Sequence, residues 1–465
     1  MTLNRAWLLL AAYLMIPITT ASANVVTDWD EKAVAFIQPR MVPPVAYRAM
    51  AILHIAMFDA LNSIEPRYRP YYAQLPATQD TSKDAVAAAA AGAVLINLLP
   101  EIASDIQAAL QSYLAAIPDS EAKSNGIKLG EAVAAKTLEA RASDGSSAPD
   151  AYRPVTRPGL YTPTALTVTP HWPDVTPFAM TSPSQFRPTP PIALESEQWA
   201  KDYNEIKELG AKNSSKRSPR QTEDARFWLL TGPLSTHPLS RQIAIRKEMS
   251  VIDSARFMTV TSAAEADAAI AVMDAKYKYA FWRPITAIRN GDIDGNDATE
   301  REAAWQPIDN TPMHPEYPCA HCIISSAVAS AIEAMLGTAD IPEVAMTSPT
   351  VPGVTHRWTN LNPMRTRSLP LASLRVSIIG SRPSWVRTWA DKSACIRSRQ
   401  SCSRREQLGD TGNFVRAEMN GFRCLNPSYA RSTCEVVGFR LLSGSGPVQN
   451  DSGLSQGPAG ASGAS

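Results

Sequence analysis

Along most of the chain, apolar residues recur at intervals of three and four positions, with polar residues between them. In a helix this spacing collects the apolar side chains on one face, so each such segment is predicted to be a helix with a buried side. Seven segments show the pattern: residues 46–64, 83–100, 120–145, 195–212, 220–232, 239–260 and 263–282. A further apolar run, residues 323–336, is predicted to be a helix that starts just after Pro318.

Strand patterns are absent from the sequence, because no run of alternating apolar and polar residues has a useful length. Residues 148–191 are too rich in proline for regular elements. Trp172, Phe178 and Phe186 in this segment favour burial, so we expect a long ordered loop packed over the helices. The predicted fold class is all-α, a multi-helix bundle.

The charge of the chain is balanced, with 45 Lys and Arg against 44 Asp and Glu in 465 residues, so no nucleic-acid partner is expected. Residues 1–23 contain Arg5, then an apolar run, then Ala21-Ser22-Ala23, which is the order of a secretory signal peptide. The run is shorter than the roughly 20 residues of a membrane helix, and no transmembrane span is predicted. We expect a periplasmic or secreted protein, in which a cysteine pair can oxidise.

Two of the six cysteines, Cys319 and Cys322, lie in the block "HPEYPCAHC", residues 314–322. The other four lie in the last hundred residues: Cys395, Cys402, Cys424 and Cys434. The block fits three kinds of site: a redox pair, half of a metal site, or the start of an anion-binding helix.

A second candidate block is "KYKYAFWRPITAIRNGD", in which Lys276 and Arg283 are seven residues apart. On a continuous helix this is two turns, so both side chains are expected on one face. Two cations on one face without a nearby acid are unfavourable unless an anion neutralises them. A solvated basic face is the alternative.

Cys319, Ala320 and His321 are expected in the first turn of the helix after Pro318. Free backbone N–H groups at a helix start, together with the positive end of the helix dipole, bind oxyanions. His321 beside such an anion would donate or accept a proton. A histidine that only packs near a helix start is the alternative.

Taken together, Lys-x6-Arg-Pro and the later Pro-Cys-Ala-His helix start resemble the vanadium-dependent haloperoxidase and type 2 phosphatidic acid phosphatase (PAP2) superfamily. "VVTDWD", "FWRPITAIR" and "HPEYP" are similar to its bacterial haloperoxidase-like branch, and the resemblance covers residues 24–362. It implies a helical bundle whose pocket takes vanadate as cofactor, or phosphate as substrate. By resemblance, Lys276 and Arg283 hold equatorial oxygens, the backbone of Ala320 donates to another, and His321 is the acid/base.

This chain departs from the superfamily at two of those positions, where Cys319 and Ala320 replace the usual serine and glycine. A thiol donates a weaker hydrogen bond than a hydroxyl, and the alanine adds a methyl group close to the oxyanion. The departures bear on the affinity for the anion rather than on the architecture.

The function implied by the resemblance is peroxide-driven halide oxidation, with peroxide and halide as small-molecule substrates. Three alternatives stay open: a PAP2-type acid phosphatase acting on phosphate esters, a non-catalytic oxyanion-binding remnant, and a Cys-x-x-Cys thiol–disulfide oxidoreductase. The last needs a strand before the motif, which the sequence does not offer, so we expect that Cys319 and Cys322 are not a working redox pair. A homodimer is compatible with the sequence.

The superfamily's third motif, Arg-x5-His on a late helix, is missing. The last 103 residues carry 13 arginines, one lysine and no histidine, and helical spacing is lost near Pro363. If the reading frame is shifted back by one base, a codon that overlaps those of Leu371 and Ala372 can encode arginine. A codon that overlaps those of Ser377 and Ile378 can encode histidine, and the two then have the spacing of the missing motif. We therefore infer a frameshift near Pro363, with residues 24–362 as the helical domain and 363–465 as an aberrant tail of low order.

The leader generates a testable prediction. In a host that exports the protein, we expect cleavage after Ala23, because charge, apolar run and small residues occur in the order that signal peptidase recognises. Mass spectrometry of the exported protein should show Asn24 as the amino terminus. An intact Met1 would contradict it.

Overall fold

The structure is a computed structural model, and it describes residues 23–366. The predicted leader, apart from Ala23, and the predicted tail beyond residue 366 lie outside the described residues. The described helices are α1 Val25–Ile37, α2 Pro43–Ile64, α3 Lys83–Leu98, α4 Ala103–Ala115, α5 Glu121–Arg141, α6 Glu197–Leu209, α7 Pro219–Phe227, α8 His237–Arg246, α9 Val251–Tyr279, α10 Pro284–Arg289, α11 Ala320–Leu336 and α12 Asn362–Thr366. The prediction of an all-α bundle is confirmed for this part of the chain.

One hairpin interrupts the helical pattern, although no strand was predicted. Strands β1 (Asp340–Ser348) and β2 (Val351–Asn360) pair antiparallel, with Val344 opposite Trp358. The side chain of Gln242 on α8 bonds both backbone groups of Ala345, at 2.8 and 3.0 Å, and so fixes β1 against the bundle. The prediction missed the hairpin because β2 has almost no buried apolar side chains to produce an alternating pattern.

The core is built around α2 and α9, which pack on each other and bury almost all of their side chains. By length and composition α2 is apolar enough to cross a membrane, and the bent pair of α3 with Pro100–Ala115 would count as a second candidate. In the structure the apolar window of α2 is 89% buried inside the fold, which is the placement of a core helix.

Two helix boundaries differ from the prediction. The segments 239–260 and 263–282 were predicted as separate helices, but α9 is continuous through residues 261–262, and the break lies earlier, between α8 and α9. Ser250 starts α9 after that break, since its side chain accepts the N–H of Asp253 and caps the helix. The apolar spacing continues across the break without glycine or proline, so the pattern gave no signal there. Helices α1 and α4 were not predicted.

The proline-rich segment 148–191 is an ordered loop, as predicted. Trp172 and Phe178 are buried, and Phe186 packs against the core. The loop is held by Asp267 of α9, whose carboxylate accepts the N–H groups of Phe178, Ala179 and Met180 at 2.6–2.9 Å. A buried carboxylate inside α9 therefore stabilises a loop that has no regular structure of its own.

A buried charge network joins α1, α2, α8 and α9. Asp30 accepts from His54 Nε2 at 3.0 Å, His237 Nδ1 at 2.5 Å and Arg241 Nη1 at 2.7 Å, and the other ring nitrogen of His237 lies 3.2 Å from Glu265. Burial alone would lower the pKa of His237, but the two carboxylates raise it to about 10. His237 is therefore a buried imidazolium at neutral pH, which balances Asp30 and Glu265.

This network predicts a fall in stability at alkaline pH. Because the folded pKa of His237 lies above the unfolded value near 6.5, its contribution is complete below pH 6.5 and is lost as the pH rises through about 10. His237→Gln should lower the free energy of unfolding by about 3–5 kcal/mol at pH 6, because it removes the cation that two buried carboxylates share and leaves Arg241 as the cation in contact with Asp30 alone. Urea unfolding between pH 6 and 10.5 measures both effects.

The matched control is His171→Gln, which changes a half-buried histidine bonded to the Ser146 carbonyl outside this network. It should keep the alkaline slope that His237→Gln abolishes. Parallel pH profiles for His237→Gln and the unsubstituted protein would show that His237 does not carry the proton.

Candidate oxyanion site

The candidate site is a cavity of about 320 Å³ between the end of α9, the start of α10, the loop before α11 and the first turn of α11. All five residues proposed from the sequence line it, namely Lys276, Arg283, Cys319, Ala320 and His321. The opposite walls are mainly apolar and come from Pro43, Pro44, Val168, Trp228, Leu230 and Met313. One polar wall therefore faces an apolar space of a size typical of small-molecule sites.

Lys276 lies on the last turn of α9 and is 1% exposed. Its Nζ donates to the carbonyls of Pro315 and Glu316, at 2.8 and 2.5 Å, so the lysine fixes the loop that leads into α11. Burial lowers the pKa of Lys276 well below its usual 10.5, and the charge of Arg283 lowers it further. An anion in the cavity would reverse this shift by stabilising the ammonium form.

Arg283 reaches the same cavity by a different route from the one predicted. Lys276 and Arg283 do not share a helix face, because α9 ends at Tyr279 and Ala280 takes a left-handed conformation with φ of 46°. Arg283 is then the extended residue that precedes Pro284 at the start of α10. The turn at Ala280, rather than helical spacing, brings the two cations together.

The expectation that no acid lies near these cations was also wrong. Glu316 is 3% exposed, and one of its carboxylate oxygens accepts from Arg283 Nη1 at 2.5 Å. Sequence reasoning missed Glu316. The signal that could have found it is that Glu316 is the only carboxylate between Asp309 and Glu333. One carboxylate between two cations leaves a net positive charge in this wall.

His314 is a second cavity residue that sequence reasoning missed. Its Nδ1 lies 2.9 Å from Arg283 Nη2, and its backbone carbonyl accepts from Arg283 Nε at 2.6 Å. Burial lowers the pKa of His314 well below 6.5, and Arg283 and Lys276 lower it further. His314 is therefore a neutral ring that accepts from the guanidinium and orients it.

The start of α11 forms the remaining polar wall. Ala320 and His321 are its first two residues, so their backbone N–H groups have no partner within the helix. Cys319 is the cap, and its sulfur accepts the N–H of Cys322 at 3.2 Å. The positive end of a 17-residue helix thus lines the same cavity as Lys276 and Arg283.

The two cysteines are joined by a disulfide. Cys319 was expected to take the place of the superfamily's serine as a hydrogen-bond donor through its thiol. A disulfide sulfur carries no proton, so in this oxidised form Cys319 cannot donate to an anion. The backbone N–H groups, the two cationic side chains and the ring of His321 are the donors that this wall can then offer.

A model of the "VCPO second helical-bundle domain" matches residues 256–375, which include Lys276, Arg283 and the start of α11. A vanadium chloroperoxidase of Curvularia inaequalis is 28% identical over 140 residues, which is 25% of this chain and 23% of that protein. The resemblance to the vanadium haloperoxidase superfamily is confirmed. The match spans about a quarter of the curated relative's length.

Solved haloperoxidase structures share the fold over most of the chain. A bacterial vanadium-dependent iodoperoxidase superposes with a TM-score of 0.68 at 20% identity, over 82% of this chain and 97% of that one. The holo form of a bacterial vanadium-dependent chloroperoxidase superposes with a TM-score of 0.62 at 17% identity, over 83% and 98%. At these identities the likeness shows the haloperoxidase fold.

The buried lysine generates a prediction about oxyanion binding. Because burial and Arg283 lower the pKa of Lys276 in the empty cavity, a bound oxyanion should raise it, and binding should take up protons between the lowered pKa and 10.5. Titration calorimetry with orthovanadate in two buffers of different ionisation enthalpy, repeated at a series of pH values below 10.5, measures this uptake.

Lys276→Met tests the assignment. It should abolish the uptake and weaken binding by about 10- to 150-fold, the loss of a charge-assisted contact of about 1.5–3 kcal/mol. Lys278→Met, two residues further along α9 at an exposed site, is the control that should change neither. Equal proton uptake in all three proteins would show that Lys276 does not titrate on binding.

Proposed function

We propose that the cavity binds vanadate and that the chain is a vanadate-dependent haloperoxidase-like protein. The observation that carries the proposal is the convergence of two buried cations and a helix start on one cavity. The superfamily match to residues 256–375 supports it, because both anion-binding motifs fall inside the matched segment.

The donor set fits a tetrahedral oxyanion. In the ammonium form that a bound oxyanion would favour, Lys276 has three donor protons, and two are used on the carbonyls of Pro315 and Glu316. The backbone N–H groups at the start of α11 add neutral donors, and Arg283 adds a second charge held by Glu316 and His314. The net positive charge that these groups leave in a buried wall is what an oxyanion would neutralise.

Bound vanadate supplies a Lewis-acid centre that activates hydrogen peroxide towards halide. The chain's own residues bind and orient it: Lys276 and Arg283 neutralise the charge of the oxyanion, and the first turn of α11 donates backbone hydrogen bonds. His321, in the same wall, would hold or release the proton that the reaction requires. Glu316 and His314 keep the guanidinium of Arg283 in place.

The third motif decides whether this site can turn over. We propose that the chain lost it through a one-base shift near Pro363, since the shifted reading supplies Arg-x5-His across residues 371–378. Without those residues the cavity would lack the histidine and the third cation that would help to hold the oxyanion. We therefore expect the chain as written to bind vanadate weakly and to be essentially inactive.

The test is to express two versions, the chain as written and the chain with the shift near Pro363 reversed. Each is assayed with vanadate, peroxide and bromide by monochlorodimedone bromination, and separately with a phosphate ester. The restored protein should brominate only when vanadate is present. Restored protein in which Arg283 is changed to Ala is the control, and it should lose this activity.

Each other outcome identifies a different function. Equal activity in both versions would contradict the frameshift, and phosphate-ester hydrolysis without bromination would favour the PAP2-type phosphatase. Vanadate binding without activity in either version would favour a non-catalytic oxyanion-binding protein. The nucleotide sequence around Pro363 checks the frameshift independently.

A further inference from the structure

The cysteine pair at the start of α11 is unusual because one of its two members lines the oxyanion cavity. Cys319 lines the cavity and caps the helix, whereas Cys322 is fully buried behind it and does not line the cavity. The disulfide shows that the two sulfurs reach each other without a change of fold. The superfamily's usual serine at this position has no redox chemistry, so the pair gives this chain a capacity that the vanadate site does not require.

We propose that Cys319 and Cys322 reduce peroxides by thiol chemistry, with Cys319 as the nucleophile that attacks the peroxide and Cys322 as the thiol that resolves it. This activity goes beyond the proposed function, because it uses neither vanadate nor halide. It takes place in the same cavity, which is the only part of the proposed function on which it rests.

The positions of the sulfurs assign the two roles. The nucleophile must meet the peroxide, and of the two cysteines only Cys319 lines the cavity. Thiolates are favoured at helix N-termini and near cations, and Cys319 has both, since it caps α11 in the wall that holds Lys276 and Arg283. The N–H of Cys322 at 3.2 Å is a further donor to the Cys319 sulfur.

The reaction balances with a small dithiol as the reductant. The Cys319 thiol gives its proton to His321, the thiolate attacks one peroxide oxygen, and the O–O bond breaks. The leaving hydroxide takes that proton from His321 to become water. This leaves a sulfenic acid on Cys319. The Cys322 thiol attacks that sulfur, the disulfide forms, and the hydroxyl leaves with a proton as a second water. The dithiol then reduces the disulfide by exchange and is itself oxidised to a disulfide.

This assignment revises the expectation that the pair does no redox work. The expectation rested on the missing strand before the motif, and the structure agrees that a loop, not a strand, precedes α11. A missing strand argues against a thioredoxin-type fold. Peroxide reduction needs only an accessible thiolate, a resolving thiol within bonding reach and charge that stabilises a leaving hydroxide, and the cavity has these groups.

The experiment uses the full chain without vanadate or halide. A reference protein carries serine at the four other cysteines, Cys395, Cys402, Cys424 and Cys434, so that only the pair can react. Hydrogen peroxide and dithiothreitol are added, and the remaining peroxide is measured with ferrous xylenol orange. We expect the reference protein to consume peroxide catalytically and Cys319→Ser in that background to fall to the rate of dithiothreitol alone.

Two further measurements keep the result clear if Cys319→Ser does not fold. One equivalent of peroxide added to the reduced reference protein should remove two thiols and give the linked Cys319–Cys322 peptide in mass spectrometry. Cys322→Ser, which leaves the cavity wall unchanged, should instead form a dimedone adduct on Cys319.

An unchanged rate in folded Cys319→Ser, or no reaction of either thiol with one equivalent of peroxide, would overturn the proposal. The vanadate titration and the bromination assay are separate experiments, so a failure there leaves this result intact and points to the proposed function alone.

Discussion

The site depends on one buried residue, Glu316, that contacts two buried cations. Glu316 accepts from Arg283 through its side chain, while its backbone carbonyl accepts from Lys276. These contacts connect the end of α9, the start of α10 and the loop before α11. Breaking such a group by removing one partner leaves an uncompensated buried charge, at a cost of about 3–5 kcal/mol, so the three residues are energetically one unit. The geometry of the cavity follows from that unit.

The same unit fixes where α11 begins. Lys276 bonds two successive carbonyls, of Pro315 and Glu316, and Arg283 bonds the carbonyl of His314. The loop can therefore not shift relative to α9 without losing three charge-assisted hydrogen bonds. Its end at Cys319 places the first N–H groups of α11 opposite the cations that hold the loop. The hydrogen bonds that hold the two cations therefore also hold the start of α11 in place.

Local pattern predicted α2, α3 and α5 well, because apolar residues recur at helical spacing along the whole of each segment. The pattern failed where a local contact sets a helix boundary, as at the break between α8 and α9. The apolar spacing continues across this break, but the Ser250 cap starts a new helix there. The hairpin was missed for a related reason. The contact that fixes it joins the side chain of Gln242 to Ala345, and these two residues are more than a hundred positions apart in the sequence. Spacing carries no information about such partners.

For the site, the sequence supplied residue types but not their arrangement. Lys276 and Arg283 were correctly grouped, yet for the wrong reason, since the turn at Ala280 rather than a shared helix face joins them. Glu316 and His314 were missed because their function depends on the guanidinium they contact, and that contact spans more than thirty residues. Residues that orient a binding group are visible only once the fold is known.

The buried positive charge also links anion binding to stability. The empty cavity keeps Lys276 in an environment that disfavours its charged form, and an oxyanion removes that cost only in the folded state. A ligand that binds only the native state stabilises it by about 2.7 kcal/mol at a concentration one hundred times its Kd. A protein of this design is therefore most stable when its oxyanion is present, and the cations that create the affinity are the ones that destabilise the empty fold. Replacing the cap serine by a disulfide removes a donor from the same wall, so affinity and the stability linked to it depend on the redox state of two sulfurs.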